Sequence, residues 1–324
     1  MAFITANDAA ALIDQEVSAD IITNIVSDGS QFLPLMKRLP DMSAKQTKIR
    51  VITALPNASF VSGAKNTSAP GTKPTSRVAW DNEYITAEEL AVIIPIPEEF
   101  VDDASYDIWG QIKPSLVEAF GYAIDAAIAR GTNKPDSWPD GLVTQAINSG
   151  NAVTLGAGED IYDDILSENG VFAKVESDGY IVSAAMGAVP LKSNLRGLRD
   201  ENGQPIFKRE GVQGATVYMI DGVPISFSTT GALPSDVALM LAGDFKQLVY
   251  AIRQDITYKV LSEATLTDGQ GSVLYNLAEQ DMVALRAVMR LGWASPRPAN
   301  MLETKTGADH FPIGVLLPSS GSGS

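Results

Sequence analysis

The sequence predicts an α+β fold, in which one long helix and several β-strands contribute to a substantial hydrophobic core. Apolar residues recur at every fourth position from Ile108 to Ile128, a spacing typical of a long amphipathic helix. Two later segments, 255–260 and 283–293, instead alternate apolar and polar residues, as half-buried strands do. A length of 324 residues with 45% hydrophobic residues is compatible with about two domains.

The first hundred residues predict a helix followed by two strands that are joined by a long loop. Apolar residues spaced three and four apart favour a helix over 5–27. Two β-branched segments, 48–53 and 78–86, predict strands, and the second leads into the apolar run 90–94. The intervening stretch, 56–77, is rich in Ser, Thr, Gly and Pro. It is far longer than an ordinary hairpin loop, so we expect it to extend from the body or to be ordered by a partner.

The long helix is expected over roughly 105–130, with Gly131 as its C-terminal stop. Pro114 within it predicts either a kink or a second helix start. For 281–291 the alternation favours a strand although the residues are also good helix formers, so the two signals conflict. The remaining elements predicted are helices over 160–175 and 190–198, a buried strand over 180–184, and strands over 216–220 and 223–227.

Composition excludes several classes of enzyme. The chain has no cysteine, which removes thiol nucleophiles and Cys-based metal sites, and its one histidine, His310, rules out a two-histidine metal motif within one chain. We expect His310 to lie on the surface rather than in a catalytic triad. Neighbouring acidic pairs are more typical of solvated surface than of converging carboxylates. The sequence therefore predicts no catalytic, cofactor-binding or metal-ligating residues. It also predicts no membrane association, because the apolar stretch 180–191 is too short to span a bilayer.

Charge patterning is the most specific local signal. The formal net charge is −15, but residues 42–80 carry six basic side chains and no acid, whereas residues 81–112 carry nine acids and no base. Two interpretations stay open: these are the solvated faces of one hairpin, or the basic loop of one subunit lies on the acidic segment of the next. The second contact joins two different surfaces, and its repetition gives rings or larger assemblies.

Several sequence blocks stand in a characteristic order. They are MAFITAND at 1–8, the basic strand and its loop, KPTS at 73–76, AEELAVIIPIPEEFVDDA at 87–104, the long helix ending at Gly131, LRDENGQPI at 198–206, GVPI at 222–225, GDF at 243–245, and the strand carrying Arg286 and Arg290. No single block is diagnostic, but their order and spacing together resemble the major capsid proteins of tailed bacteriophages, most of all siphophages of actinobacteria.

This resemblance implies the HK97-type capsid fold. Its parts are expected to be an N-terminal arm at 1–46, an extended E-loop with flanking strands at 47–94, a peripheral domain with the spine helix at 95–131, an axial domain at 132–254, return strands of the peripheral domain at 255–318, and a flexible tail at 319–324.

The resemblance further implies a self-assembling icosahedral shell of pentamers and hexamers, made in the host bacterial cytoplasm. It would enclose double-stranded DNA without sequence-specific binding, together with portal and scaffolding or decoration proteins. Contacts between subunits are expected from basic residues of the E-loop and acidic residues of the spine region: Lys48, Arg50, Lys65, Lys73 and Arg77 on one side, and Glu98, Glu99, Asp102, Asp103 and Asp107 on the other.

Two other functions stay open at this stage. The first is an encapsulin-like nanocompartment, in which the same fold encloses cargo enzymes. The second is a monomeric hydrolytic α/β enzyme that uses paired carboxylates. A stable monomer that never assembles would favour the enzyme over both shell proteins.

Overall fold

The computed structural model describes residues 29–56, 58, 75–99, 108–198, 207, 209–212, 215–268, 270–299 and 310–319. The helix predicted over 5–27 lies outside these residues. The α-helices are α1 Ile108–Arg130, α2 Leu142–Asn148, α3 Ile161–Leu166, α4 Val171–Ser177 and α5 Val189–Gly197. The strands are β1 Lys37–Arg38, β2 Gln46–Ala54, β3 Ala79–Thr86, β4 Glu88–Pro97, β5 Ala152–Thr154, β6 Ala184–Ala188, β7 Arg209–Val212, β8 Ala215–Ile220, β9 Val223–Ser228, β10 Met240–Gly243, β11 Val249–Leu261, β12 Thr265–Thr267, β13 Val273–Asn276, β14 Met282–Ala294 and β15 Ile313–Leu317.

Two larger sheets organise the described chain. A four-stranded sheet has the order β1-β11-β14-β4, with β14 antiparallel to both of its neighbours. A seven-stranded mixed sheet has the order β5-β15-β10-β6-β9-β8-β7. The pairs β2–β3 and β12–β13 form two separate antiparallel hairpins. Strands from the last third of the chain therefore enter both sheets, because β11 and β14 belong to the first and β15 to the second.

The apolar stripe of α1 packs on the four-stranded sheet, as the fourfold spacing predicts. Leu116, Phe120, Ile124 and Ile128 are buried in one core with the alternating β14 residues that end at Trp293. Gly131 follows the helix with φ of 73°, which a residue with a side chain rarely adopts. The helix runs through Pro114, so the predicted second start is not observed.

A second core lies between the seven-stranded sheet and the short helices. Residues of α3, α4 and α5 pack there against β6, β9 and β10. The single helix predicted over 160–175 is wrong, because the chain forms α3 and α4 with a turn between them. A Cβ on Gly170 would approach the carbonyl oxygen of Ile165 to 2.7 Å, so this turn is tight enough to require glycine.

Two further local predictions have clear outcomes. The buried strand predicted over 180–184 is misplaced: β6 begins at Ala184, where its pairing partner β10 ends at Gly243, and Ile181 is 81% exposed. The conflict over 281–291 is resolved in favour of the strand. As the central partner of β11 and β4, β14 is held by pairing on both edges, and this outweighs the helix propensity of its residues.

Candidate subunit interface

The β2–β3 hairpin turns one face to solvent, and that face is both basic and apolar. The register places Lys48 opposite Tyr84, and Ile52 opposite Trp80, with Arg50 between them on β2. Residues directly opposite in an antiparallel pair share a face. Trp80 is 63% exposed, Tyr84 50% and Ile52 38%. We call Lys48, Arg50, Ile52, Trp80 and Tyr84 the cationic face.

The other face of the hairpin is fixed to the body. Ile85 is fully buried in a small core that also contains residues of β11 and β14. The indole Nε1 of Trp138 donates to the carbonyl of Thr86 at 3.1 Å, and the amide of Ala299 donates to the carbonyl of Ile52 at 2.8 Å. These contacts hold the hairpin from both strands, so the direction of the cationic face is set by the fold.

A cavity of about 570 Å³ lies where Val51, Thr53 and residues 81–83 of the hairpin face Gln145, Ser295 and Arg297. Gln145 Oε1 accepts hydrogen bonds from Ser295 Oγ at 2.8 Å and from Arg297 Nη2 at 3.1 Å. Burial raises the pKa of Glu83, the positive charge of Arg297 opposes that rise, and the negative charge of Asp81 adds to it. The positive charge of Arg297 therefore acts on the hairpin residue Glu83 in this cavity.

The basic segment 42–80 and the acidic segment 81–112 meet at a charge switch, and part of its charge is neutralised within the chain. Lys45 Nζ lies 3.9 Å from Glu88 Oε1, and Arg290 donates to Glu89 Oε2 from two nitrogens, at 2.6 and 3.0 Å. Lys45 and Glu88 therefore approach each other within one chain, but they do not belong to one hairpin, because Lys45 precedes β2 and Glu88 begins β4. By contrast, no carboxylate among the described residues lies within 4 Å of Lys48 or Arg50 on the cationic face.

Two predicted acidic residues lie at the far end of the four-stranded sheet. Glu98 and Glu99 follow β4 and are exposed. The amide of Glu98 donates to the carbonyl of Asp281 at 2.9 Å, which brings a further exposed acidic residue to the same place. The sequence analysis did not predict a role for Asp281 or its neighbour Glu279, because both lie more than 150 residues after the acidic segment 81–112. The signal available in the sequence was the absence of any basic residue over 262–281.

Of the remaining predicted contact residues, one is described by the structure and five are not. Arg77 is exposed ahead of β3. The other five cannot be located, because they lie outside the described residues: Lys65, Lys73, Asp102, Asp103 and Asp107.

His310 is buried, so the expectation of a surface position is wrong. It immediately precedes Phe311 and β15, whose pairing in the seven-stranded sheet carries it inside. Its Nδ1 lies 4.0 Å from Asp178 Oδ1, while Asp178 Oδ2 accepts from Asn151 and from the Phe311 amide at 2.7 and 3.1 Å. These bonds tie the chain before β15 to the end of α4.

No cluster of three or more His, Cys, Asp or Glu side chains within the described ranges could hold a metal ion. In the same part of the chain, no helix has the length and hydropathy needed to cross a membrane.

Comparison with known proteins agrees with the resemblance read from the sequence. The model of the phage capsid family matches residues 9–300. The major capsid protein of Staphylococcus phage 80alpha is 30% identical over 220 residues, which cover 67% of this chain and 63% of that protein. A solved chain of Microbacterium phage Oxtober96 is 34% identical, with a TM-score of 0.76 and coverage of 98% of this chain and 100% of the other.

A chain of Mycobacterium phage Cain is also similar, with 32% identity, a TM-score of 0.75 and coverage of 99% of this chain and 100% of the other. The capsid of an empty GTA particle has a TM-score of 0.59 at 17% identity, which shows a shared fold alone. The predicted α+β, HK97-type architecture is confirmed by these neighbours. The chain belongs to the phage capsid family.

Proposed function

We propose that this chain is the major capsid protein of a tailed phage, which assembles as pentamers and hexamers into an icosahedral shell around double-stranded DNA. The match of the family model over residues 9–300 is the observation that carries the proposal. The aligned region spans 63% of the relative named as a major capsid protein, whereas the chains of Microbacterium phage Oxtober96 and Mycobacterium phage Cain are matched over their full length. These matches do not favour the encapsulin alternative.

The cationic face supports a role in assembly. It places two cations, two aromatic rings and an isoleucine together in solvent, on a hairpin anchored through its other face. Contiguous exposed apolar surface of this kind marks interaction sites. The basic E-loop lies on the acidic spine region of a neighbour, and the charges select the partner and its register more than they add affinity.

The domain assignment follows the two sheets. The peripheral domain comprises the spine helix over 95–131 with the four-stranded sheet, and the axial domain over 132–254 contains most of the seven-stranded sheet. Residues 1–46 form the N-terminal arm, 47–94 the E-loop, 255–318 the return strands and 319–324 a flexible tail. The support is that α1 and β14 share one core while α3 to α5 share another.

The partners follow from the same function. The net charge of −15 disfavours tight, sequence-specific binding to the enclosed DNA, because affinity for phosphates depends on basic residues. Portal and scaffolding or decoration proteins complete the particle, and the shell is assembled in the host bacterial cytoplasm before it becomes the virion capsid.

Electron microscopy and sedimentation of the purified chain test this proposal. We expect closed shells, or capsomers that form shells when a scaffolding protein of the same phage is supplied. We also expect particles purified from infected cells to contain DNA rather than a cargo enzyme. Their absorbance at 260 nm relative to 280 nm measures the DNA content. A protein that stays a monomer of 34.4 kDa under all of these conditions would refute the proposal and favour the enzyme alternative.

A further inference from the structure

The β2–β3 hairpin separates its charges by sign. Alternate residues of a strand point to opposite faces, so Lys48 and Arg50 lie on the cationic face. By the same alternation, Asp81 and Glu83 of β3 lie on the other face, together with the buried Ile85. Within these two strands, the cationic face therefore carries two cations and no acidic side chain.

Two aromatic rings are exposed on the same face. Trp80 and Tyr84 lie four residues apart on β3, which at about 3.3 Å per residue is about 13 Å. Lys48 lies opposite Tyr84, and Arg50 lies opposite the midpoint between the two rings. Among the described residues, neither ring stacks on another ring or lies under a cation. The exposed part of each ring is therefore free to stack on a ligand.

From this arrangement we infer that the cationic face of the unassembled chain binds single-stranded nucleic acid. Aromatic side chains stack on unpaired bases of any sequence, because every base has a π-face. Trp80 and Tyr84 are too far apart to hold one base, so each takes a different base of the same strand. Lys48 and Arg50 lie beside this row of rings and bind the phosphates of that strand. A duplex keeps its bases stacked inside, so it contacts the two cations alone.

The net charge of −15 opposes this contact only weakly at physiological salt. At an ionic strength of about 0.15 M, charges more than about 8 Å from a phosphate are largely screened. Nearby charges therefore decide the interaction, and residues 42–80 carry six bases and no acid. Two phosphate contacts and two stacked bases make a weak site without sequence preference, with a dissociation constant of about 10⁻⁴ to 10⁻⁶ M.

The β12–β13 hairpin is also exposed and apolar, but its charge excludes the same ligand. Val273, Leu274 and Tyr275 are all exposed there. The segment 262–281 that contains them has four acids and no base. A strand of phosphates is repelled by this segment although a tyrosine is available for stacking. Tyr275 therefore serves as a matched control for Tyr84.

Nucleic-acid binding goes beyond the proposed function, because it belongs to the chain before assembly. In the proposed shell, the cationic face lies on a neighbouring subunit. A bound strand and a neighbouring subunit then exclude each other on this face. Free subunits hold nucleic acid only until they join a capsomer, so the binding is measured on unassembled protein.

Fluorescence anisotropy of labelled oligonucleotides tests the inference on the unassembled full-length chain. We expect oligo(dT) and oligo(rU) of about twelve nucleotides to bind, and a DNA duplex of the same length to bind at least fivefold more weakly. Trp80→Ala and Tyr84→Ala should each weaken binding by about 5- to 100-fold, whereas Trp80→Phe should retain most of it. Tyr275→Ala should change the affinity less than twofold.

Salt dependence tests the two cations separately. Lys48→Ala/Arg50→Ala should lower the slope of log affinity against log salt by about 1.4, because each phosphate contact of a single strand contributes about 0.7. The matched control is Lys259→Ala/Arg286→Ala, which removes two exposed cations that also lie opposite each other on paired strands. The slope of this control should stay unchanged.

Four results would overturn the inference. They are no binding of either oligonucleotide, equal affinity for the duplex, equal losses in the matched control variants, and tighter binding to vesicles of equal parts phosphatidylglycerol and phosphatidylcholine. The last result would identify a lipid surface as the ligand. A chain that binds both oligonucleotides as expected but never forms shells would support this inference and contradict the proposed function.

Discussion

Asp125 provides the sharpest test of the energetics of this fold. It lies on α1, is fully buried, and accepts hydrogen bonds from Ser30 Oγ at 2.5 Å, from the Gln31 amide at 2.8 Å and from the Phe32 amide at 3.4 Å. These bonds hold residues 30–32 against the helix. Burial raises the pKa of Asp125 to about 6, and the bonds from Gln31, Ser30 and Phe32 limit the rise.

The direction and size of the pH effect follow from linkage. The pKa is higher in the folded state than the ordinary value of 3.8, so the folded state binds more protons between these values. Stability from this group is therefore fully present below about pH 4 and is lost as pH rises through about 6. Each pH unit between the two pKa values is worth about 1.4 kcal/mol, which gives about 3 kcal/mol in total.

Asp125→Asn isolates this contribution, because asparagine has the same shape and does not titrate. The free energy of unfolding of the original chain, minus that of the variant, should increase by about 2 kcal/mol between pH 7.5 and 4.5. Urea unfolding of unassembled full-length protein measures it, since Trp138 and Trp293 are buried in the same core as α1 and report its unfolding by fluorescence.

A second variant tests whether hydrogen bonding opposes the effect of burial on the pKa of Asp125. Ser30→Ala removes one hydrogen bond to the charged carboxylate, so the pH dependence should persist but move to higher pH. A difference between the original chain and Asp125→Asn that stays constant from pH 7.5 to 4.5 would refute the argument from burial. A difference that falls with decreasing pH would show that the hydrogen bonds outweigh desolvation.

Two structural predictions follow from close packing and from loop anchoring. Gly121→Ala should lower the free energy of unfolding by about 3 kcal/mol, because its Cβ would overlap the backbone carbonyl of Gly29, whereas Gly197→Ala, with open space around the site, should change it by less than about 1 kcal/mol in urea unfolding. Asp164→Ala should lower the thermal midpoint by several degrees, because its carboxylate accepts from two loop amides at 2.6 and 2.8 Å; its neighbour Asp163→Ala serves as the control, and equal shifts would contradict this role.

The elements predicted well from the sequence are those in which periodicity and burial agree. The stripe of α1 and the alternation of β14 each describe a face that a single partner covers, so local pattern was sufficient. The division of 160–175 depends instead on how closely Gly170 approaches Ile165, and the start of β6 depends on where β10 ends. Both are set by tertiary neighbours, which no local pattern contains.

The candidate interface was predictable in part for the same reason. Charge sign is visible in the sequence, and strand alternation puts Lys48 and Arg50 on one face with Ile52. Whether an apolar strand stays uncovered is not visible, because Val273–Asn276 has the composition of an ordinary core strand. Asp125 stands within the otherwise uncharged run FGYAIDAAIA, and that departure from the stripe was the available signal for a buried carboxylate with a specific partner.

Charged and apolar side chains of the cationic face contribute different things to the proposed contact between subunits. Exposed ion pairs contribute about 0–1 kcal/mol each and are screened by salt, so the charges mainly reject wrong partners and fix the register. Burying an exposed aromatic or isoleucine side chain contributes about 1.5–3 kcal/mol, so Trp80, Tyr84 and Ile52 supply most of the affinity. Association itself costs several kcal/mol, so a single such contact is weak. Closing a ring adds a final contact without a further loss of subunit freedom, and the geometry of repeated weak contacts thereby stabilises the capsomer more than any one of them does.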